Sequence, residues 1–262
     1  MLESGRHIHE PSSWALNTVA VQRKDTDLAE SPITVAGVDL ADALRLIRQA
    51  GHSDPTEERQ DDRTVLQQVI GLLCELSLND GLTGLMNARH FRATLDREVD
   101  RATRTGEPCA LLILDVDHFK TVNDSYGHPA GDVVLQTIAQ RLKENLRPMD
   151  TVARYGGEEF SMILPNTLPT SLPKIAERVR SRIASHPFEL GTGERIQVTV
   201  SIGAACSLPW QPGKADALLE EADRQLYKAK AAGRNRVSCD IPAVPAVTGS
   251  ERTALFKRSR KP

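Results

Sequence analysis

Aromatic residues and cysteines are scarce in this chain of 262 residues. Tryptophan, tyrosine and phenylalanine together make up 4% of it, which argues against an aromatic stacking platform for RNA. The four cysteines, Cys74, Cys109, Cys206 and Cys239, lie far apart and form neither a metal motif nor a redox motif. These absences argue against a cysteine metal site, thiol redox chemistry and RNA stacking.

The chain also lacks a strong net charge and a long apolar run. Its formal net charge of -2 provides no basic field that would attract nucleic acid or an anionic membrane. No segment approaches the roughly 20 apolar residues that a membrane-spanning helix requires. The first residues carry acids and histidines where a signal peptide has its apolar core. We therefore expect a cytoplasmic protein with no membrane span and no nucleic-acid partner.

The pattern along the chain predicts one main domain between two flanks, since a chain of this length holds one domain of roughly 150 to 170 residues. Residues 1–62 are predicted to be a variable, regulatory segment, partly disordered, with a short amphipathic helix at 40–50. Residues 63–80 are predicted to form a stalk helix and residues 80–239 the main domain. Residues 240–262 are predicted to be a disordered basic tail.

The predicted stalk helix carries an apolar stripe. Its members are Leu66, Val69, Leu73 and Leu76, at alternating steps of three and four residues. This spacing is typical of the seam of a short coiled coil. It suits equally a helix that packs on its own domain, so the stripe alone leaves both alternatives open.

Two glycines run directly into two carboxylates at residues 156–159, within the sequence Arg-Tyr-Gly-Gly-Glu-Glu-Phe. Glycines let a backbone turn tightly and let a bulky ligand approach, while adjacent carboxylates supply hard oxygen ligands for a divalent metal. That combination suits a metal-bound nucleotide phosphate. An ordinary hairpin turn followed by a solvated acid pair would give the same letters, so the segment alone leaves both alternatives open.

A second acidic segment follows an apolar run at residues 109–114, which ends in Asp115, Val116 and Asp117. A run of this length predicts a buried strand with Asp115 at its carboxyl end, where open α/β sheets usually bind ligands. Carboxylates there are costly unless they are paired or metal-bound, with a solvated strand exit as the alternative. Two strand-borne acids facing a glycine hairpin with a third match the two-metal arrangement of phosphoryl and nucleotidyl transfer.

From about residue 80 to about residue 237 the chain resembles the GGDEF family of diguanylate cyclases. The matching blocks, in chain order, are DGLTGLMN at 80–87, DVDHFK at 115–120, GGEEF at 156–160, TVSIG at 199–203, and AD, LY, AK and GRN between 222 and 235. Small departures are Ala88, where arginine is common, Gln225, where alanine is usual, and Glu158, where the family name has aspartate. None of these departures removes a charge that the family chemistry requires.

The resemblance implies an α/β (α+β) fold with a palm-like, mainly antiparallel sheet covered by helices, as in nucleotide cyclases, preceded by a helical N-terminal segment. Periodicity alone does not distinguish that sheet from a doubly wound one. The coarse pattern predicts helix, strand, helix, hairpin, helix, strand and helix, with residues 150–155 paired with 159–164 around the two glycines. The family often has a dimerising helix before the position of Asp80, which favours the partner-facing interpretation of the stalk.

The activity that the resemblance implies is the condensation of two GTP molecules into cyclic di-GMP and two pyrophosphates. Each GTP presents its 3′-hydroxyl to the α-phosphorus of the other, so the active species is expected to be a homodimer. The implied cofactor is Mg²⁺, with Mn²⁺ as the alternative, and a protein activator is expected to act through the N-terminal segment. The alternative function is a catalytically weak receptor for cyclic di-GMP or GTP.

The resemblance also implies a role for each matched residue. Asp115, the carbonyl of Val116 and Glu158 would hold magnesium, and Glu159 would be a second metal ligand or helper base. Asn123 and Asp132 would read the guanine edge. The expected contacts to the rest of the substrate come from His118, Phe119, Lys120, Gly156, Gly157, Lys230 and Arg234.

An inhibitory site for product is implied by Arg147 and Asp150, which lie just before the glycine hairpin. In this family an Arg-x-x-Asp at this spacing binds cyclic di-GMP, with the arginine on phosphate and the aspartate on guanine. Arg178, on the helix after the hairpin, is the candidate for the second half of that site.

Overall fold

A computed structural model describes residues 34–57, 60–144, 146–191, 193–207 and 214–239 of the chain. The predicted irregular start, up to about residue 32, and the predicted basic tail at 240–262 lie outside these residues. Within the described ranges, no helix combines the length and the apolar character needed to cross a bilayer.

The N-terminal part of the described chain is a small β-hairpin followed by two helices. Its elements are β1 (Thr34–Val35), β2 (Val38–Asp39), α1 (Ala41–Gln49) and α2 (Asp62–Leu78). α1 occupies the segment for which the sequence predicts a short helix, and α2 occupies the predicted stalk. α2 begins where the Asp61 carboxylate accepts hydrogen bonds from two backbone N–H groups, which satisfies donors that a helix start leaves unpaired.

The apolar stripe predicted on the stalk helix packs on one small core shared with α1: Val69 is buried in it, and Leu66, Leu73 and Leu76 are partly buried against it. Val69 is buried with Val65 against Leu44 and Ile47 of α1, so it is not free for a partner chain. Val69 therefore packs on α1 of its own chain. The large apolar side chain most open to solvent on α2 is Ile70, which is 59% exposed and was not part of the predicted stripe.

The main domain alternates helices and strands around one central sheet. Its elements are β3 (Met86–Asn87), α3 (Ala88–Thr105), β4 (Cys109–Val116), α4 (Phe119–Tyr126), α5 (His128–Lys143), β5 (Thr151–Arg154), β6 (Glu159–Pro165), α6 (Leu172–Ala184), β7 (Phe188–Glu189), β8 (Arg195–Ile196), β9 (Val200–Ser207), α7 (Ala215–Ala231) and β10 (Val237–Cys239). β7 and β8 form a separate hairpin. The other six strands form the sheet, in the order β10-β9-β4-β6-β5-β3.

The sheet is mainly antiparallel, which confirms the predicted fold class. β4 pairs antiparallel with both β6 and β9, and β6 pairs antiparallel with β5; only the edge strands β3 and β10 pair in parallel. The pairing of β5 with β6 also confirms the predicted hairpin around the two glycines. β4 therefore lies inside the sheet, and its carboxyl end meets the start of β6.

The eight residues of β4 are all buried, because each face of the sheet is covered by helices. Side chains alternate between the two faces of a strand. The even-numbered positions, such as Leu112 and Leu114, join the core formed with α5 and α6, whereas the odd-numbered Leu111 and Ile113 pack with α3 and α7. Asp115 continues the odd-numbered series, so the alternation directs its carboxylate towards the face covered by α7.

Candidate active site

Asp115 lies at the carboxyl end of β4, as predicted, and is only 7% exposed. One carboxylate oxygen, Oδ2, lies 2.6 Å from Nζ of Lys230 in the last turn of α7. On the other side, the strand register places Asp115 opposite Glu159, the first residue of β6. The structure therefore brings together an acid, a neighbouring acid and a cation that lie far apart in the sequence.

The glycine hairpin is fixed to the end of β4 by its backbone. The N–H groups of Tyr155 and Gly156 both donate to the carbonyl of Glu159, at 2.8 and 3.2 Å. The N–H of Val116 donates to the carbonyl of Glu158 at 3.2 Å. These bonds hold the two glutamates of the hairpin next to the end of the strand that carries Asp115.

The two glycines serve different purposes, and neither is among the glycines with a positive φ, so the hairpin does not use the left-handed backbone that glycine allows. At Gly156 a Cβ atom would lie 2.6 Å from Oε2 of Glu159, so the missing side chain makes room for that carboxylate. At Gly157 a Cβ atom would meet nothing within 4 Å. Gly157 therefore leaves open surface beside the acids, as the predicted approach of a ligand requires.

The carboxylates of the hairpin are electrostatically strained. Burial, followed by repulsion from Asp115, raises the pKa of Glu158 above its ordinary value, and Lys230 offsets only part of this effect. Burial and Asp115 also raise the pKa of Glu159, to which Asp223 on α7 adds further repulsion. A raised pKa means that the ionised form is disfavoured, so the site gains from an additional positive charge.

The residues present fit a divalent cation, although no three His, Cys, Asp or Glu side chains of the described residues lie close enough together to hold a metal ion by themselves. The predicted ligand set needs only two side chains, Asp115 and Glu158, together with the carbonyl of Val116. All are hard oxygen donors of the kind that Mg²⁺ prefers, and Mg²⁺ usually completes its coordination with water and substrate phosphate. The strained carboxylates and the ammonium group on Asp115 mark the place where positive charge is favoured.

Asp117 does not belong to this acid cluster, which corrects the prediction of two strand-borne acids facing the hairpin. Its carboxylate is 5% exposed and accepts hydrogen bonds from the hydroxyl groups of Thr199 and Ser201 and from the backbone N–H of Asn235. Internal donors thus satisfy both of its oxygens. Of the two acids at the end of β4, only Asp115 is paired with Lys230.

The residues predicted to read guanine lie on the adjacent helices α4 and α5. Asn123 is half-buried on α4 and Asp132 is exposed on α5. At Gly131 a Cβ atom would lie 2.0 Å from Oδ1 of Asn123, so this glycine makes room for the Asn123 amide between the helices. The sequence shows that Gly131 precedes Asp132, but only the structure shows that a side chain at residue 131 would collide with Asn123.

The residues predicted to contact phosphate lie around the same end of the sheet, on two segments. His118 has a left-handed backbone, with φ of 58°, and precedes α4, whose first residues are the buried Phe119 and the exposed Lys120. Arg234 is exposed in the turn after α7, and the N–H of Gly233 in that turn donates to the carbonyl of Lys230 at 3.2 Å. The structure thus brings Lys230 into contact with Asp115 and places Arg234 one short turn beyond it.

Sequence reasoning missed the role of Arg154. Its guanidinium bonds both carboxylate oxygens of Asp80 at 3.2 Å, and it also donates to the carbonyl of Gly157 at 3.2 and 2.7 Å. Burial opposes ionisation of Asp80, but hydrogen bonds from Thr83 and Arg154 outweigh it and lower the pKa of this carboxyl. Arg154 therefore links the segment that follows the stalk helix to the glycine hairpin. A contact across 74 residues leaves no signal in local sequence.

The residues predicted to bind product form a compact turn. The N–H of Arg147 donates to Oδ2 of Asp150 at 3.0 Å, and the N–H of Asp150 donates to the carbonyl of Arg147 at 2.9 Å. Oδ1 of Asp150 is buried and finds no hydrogen-bond partner among the described residues. Arg178 is exposed on α6, and no hydrogen bond or ion pair joins it to this turn in the described part of the chain.

Comparison with known proteins gives a consistent result. Residues 77–236 match the family model described as diguanylate cyclase, GGDEF domain. The chain is 44% identical over 164 residues to the response regulator PleD of Caulobacter vibrioides, a match that covers 62% of this chain but only 36% of PleD. The chain therefore spans about a third of the length of that relative.

Two solved structures are similar to this fold. The GGDEF domain of DgcB from Caulobacter crescentus, solved in complex with c-di-GMP, is 37% identical, with a TM-score of 0.60 over 62% of this chain and 93% of that one. The diguanylate cyclase SiaD of Pseudomonas aeruginosa, solved in complex with its activator SiaC, is 34% identical, with a TM-score of 0.61 over 75% of this chain and 72% of that one.

Proposed function

The chain belongs to the GGDEF family of diguanylate cyclases, and from that premise we propose that it condenses two molecules of GTP into cyclic di-GMP, with release of two pyrophosphates. The observation that carries the proposal is the position of Asp115. It lies at the buried end of β4, opposite Glu159 in the strand register and 2.6 Å from Lys230, next to the hairpin that carries Glu158. Acids and a cation around an open glycine surface suit a site for a metal-bound triphosphate.

Two chemically identical steps form the product. In each step the 3′-hydroxyl oxygen of one GTP forms a bond to the α-phosphorus of the other, and the bond from that phosphorus to the leaving pyrophosphate breaks. Glu159 is the residue we assign to accept the hydroxyl proton, because its raised pKa makes it a better base than an ordinary glutamate. Lys230 and Arg234 would balance the negative charge that grows on the leaving pyrophosphate.

Asp115, Glu158 and the carbonyl of Val116 are the residues we assign to hold Mg²⁺, or Mn²⁺ in its place. When bound, such an ion neutralises charge on the phosphates and favours the departure of pyrophosphate. The same ion would keep Glu158 ionised, since it supplies the positive charge that burial and Asp115 make favourable. Lys230, now paired with Asp115, is well placed to turn towards the triphosphate.

Specificity for guanine is assigned to Asn123 and Asp132. A carboxylate accepts hydrogen bonds from the ring N–H and the exocyclic amine of guanine, which adenine does not present in that arrangement. Gly131 supports this role because it leaves room for the Asn123 amide between α4 and α5. ATP is therefore expected to be a poor substrate.

Turnover requires two chains, because one site binds one nucleotide and each nucleotide must attack the other. Alignment of the two sites could lower the barrier by several kcal/mol, since well-oriented reactants gain roughly 7 to 11 kcal/mol in the best cases. Ile70 on α2, at 59% exposure, is a candidate contact between two stalk helices. Leu66 and Leu73 lie at heptad spacing from Ile70, but they are partly buried against the α1–α2 core of their own chain, so only their exposed parts remain for such a contact.

Regulation is proposed at two places. The buried, unpartnered Oδ1 of Asp150 supports the assignment of Arg147 and Asp150 to product binding, with Arg178 as the residue that completes this site. Activation by a protein through the N-terminal segment is supported by the complex of the related SiaD with its activator. The packing of α1 on α2 gives that segment direct contact with the stalk helix.

The test is incubation of the full chain with GTP and Mg²⁺, followed by identification of the product by mass. Cyclic di-GMP and pyrophosphate in a ratio of one to two would support the proposal, and the Asp115→Asn variant serves as the inactive control. Binding of cyclic di-GMP without any turnover of GTP would instead favour the receptor function. A linear dinucleotide as the only product would contradict the proposed cyclisation.

A further inference from the structure

The buried carboxylate of Asp117 connects three separate segments of the chain. Oδ2 accepts a hydrogen bond from the hydroxyl of Thr199 at 2.6 Å and from the backbone N–H of Asn235 at 2.9 Å. Oδ1 accepts from the hydroxyl of Ser201 at 2.7 Å. The first and last of these segments are 118 residues apart, so one side chain holds together the end of β4, the start of β9 and the turn after α7.

The turn after α7 has an unusual backbone. Gly233, Arg234 and Asn235 follow one another with φ values of 111°, 61° and 46°. Left-handed backbone is strained for residues other than glycine and persists only where the surroundings hold it in place. Here the N–H of Arg234 donates to the carbonyl of Ala229, and the side-chain oxygen of Asn235 accepts from Arg180 on α6. A further bond runs from the N–H of Asn235 to Asp117.

The end of β4 therefore binds the end of α7 and the turn after it through two side chains. Asp115 pairs with the ammonium group of Lys230, and Asp117, two residues later, binds the backbone of the turn that follows. The carbonyl of Lys230 accepts a hydrogen bond from the N–H of Gly233 inside that turn. The contacts of Asp115 and Asp117 therefore both hold one continuous segment. Arg234 lies between the two points of attachment.

We propose that Asp117 is a positioning residue for nucleotide binding, which holds residues 233–235 in their left-handed turn and so presents Arg234 beside Lys230. This inference rests on the proposed function, because Arg234 is assigned there to the triphosphate. Asp117 does not touch the nucleotide in this scheme. Its loss acts through the position of Arg234, and the binding of metal by Asp115 and Glu158 does not depend on it.

The direct test is Asp117→Asn, which keeps the size of the side chain but replaces one acceptor oxygen by an amide donor. Loss of a hydrogen bond to a charged group should raise KM for GTP about tenfold, with a much smaller change in kcat. The Kd for 3′-deoxy-GTP, which has no attacking hydroxyl, should rise in parallel. Asp96→Asn on the exposed face of α3 is the matched control and should change neither value.

A second variant separates the turn from the charge of Asp117. Asn235→Val keeps Asp117 intact but places a β-branched side chain at a left-handed position, which such residues disfavour. It should raise the same Kd in the same direction. If Asp117→Asn shows no cooperative thermal unfolding transition and is therefore not folded, the Kd of Asn235→Val for 3′-deoxy-GTP tests the inference in its place. In an Arg234→Ala background, either change should weaken binding little further, because the residue that they position is already absent.

Two outcomes would overturn the inference by itself, without the proposed function. The first is that the wild-type protein binds 3′-deoxy-GTP and that both variants, when folded, bind it with the same Kd. This result would leave the proposed function intact. The other is an unchanged KM for GTP in Asp117→Asn together with a raised requirement for Mg²⁺, which would make Asp117 a metal ligand. A wild-type protein that binds no guanine nucleotide would overturn the proposed function, and this inference with it.

Discussion

Gly203 is the residue that allows α7 to lie directly on the sheet, and its replacement by alanine should disable the site from a distance. A Cβ atom at this position would lie 2.1 Å from the carbonyl oxygen of Ala222 and 2.2 Å from the backbone nitrogen of Leu226. Both contacts are with the backbone of α7, so no side-chain rotation can relieve them. The helix must move away from β9 by about 1 Å or more to regain van der Waals separation.

Such a displacement should affect stability and activity together. Overpacking in a well-packed core costs about 1 to 3 kcal/mol, which for a domain of this size lowers Tm by about 2 to 12 °C. α7 carries Lys230, which now lies 2.6 Å from Asp115. Because a misplacement of about 1 Å can reduce turnover about 100-fold, Gly203→Ala should lose far more activity than its stability loss explains at a temperature where it remains folded.

The measurement is turnover of GTP at saturating Mg²⁺, with a thermal unfolding scan of the same preparation. Gly71→Ala on α2 is the matched control, because a Cβ atom there would meet nothing within 4 Å. Its helical position should make it slightly more stable, by about 0.5 to 1 kcal/mol, with no change in turnover. A Gly203→Ala protein with wild-type turnover would refute the reasoning that α7 must lie against β9 for catalysis.

Three further predictions concern the titration of the site, dimer formation and feedback. Burial and Asp115 raise the pKa values of Glu158 and Glu159. At subsaturating Mg²⁺, turnover should therefore begin to decline on acidification at a pH above the range in which ordinary glutamates titrate. Saturating Mg²⁺ should move this decline to lower pH, because metal binding competes with protonation. Ile70→Lys should reduce both association and turnover at low protein concentration, with recovery at high concentration, while unfolding of the monomer changes little because Ile70 is exposed. Arg147→Ala should keep the progress curves of cyclic di-GMP formation linear for longer, at an unchanged initial rate. Identical curvature in the wild type and the variant would mean that Arg147 and Asp150 do not bind product.

The central sheet could be predicted because its signals are local. The apolar run of β4, the glycine pair between β5 and β6, and the order of the family blocks all lie in short segments of sequence. β10 was not predicted, because Val237–Cys239 is only three residues long and owes its place to pairing with β9. α4 and the β7–β8 hairpin were also absent from the predicted pattern, since elements this short carry little periodicity.

The site was less predictable where it depends on contacts between distant segments. Asp115 and Asp117 have the same type and lie two residues apart, and only the fold shows that one pairs with Lys230 whereas the other holds the turn at Asn235. Similarly, the apolar stripe on α2 suits two partners, and only the position of α1 shows that Val69 is already covered. The bond from Arg154 to Asp80 could not have been found from either residue alone.

The most direct test of the proposed site is Glu158→Gln, measured for turnover and for thermal stability in EDTA. Removal of a proposed metal ligand should reduce formation of cyclic di-GMP at least about 100-fold. The same change should raise Tm of the metal-free protein at neutral pH. Because the pKa of Glu158 is raised in the folded protein, its ionised carboxylate destabilises the folded state at every pH above the pKa that it has in the unfolded chain. Glutamine carries no charge and removes this destabilisation. A variant that makes cyclic di-GMP at near the wild-type rate, or that is less stable than wild type in EDTA, would contradict the assignment of Glu158 to a strained, cation-binding acid cluster.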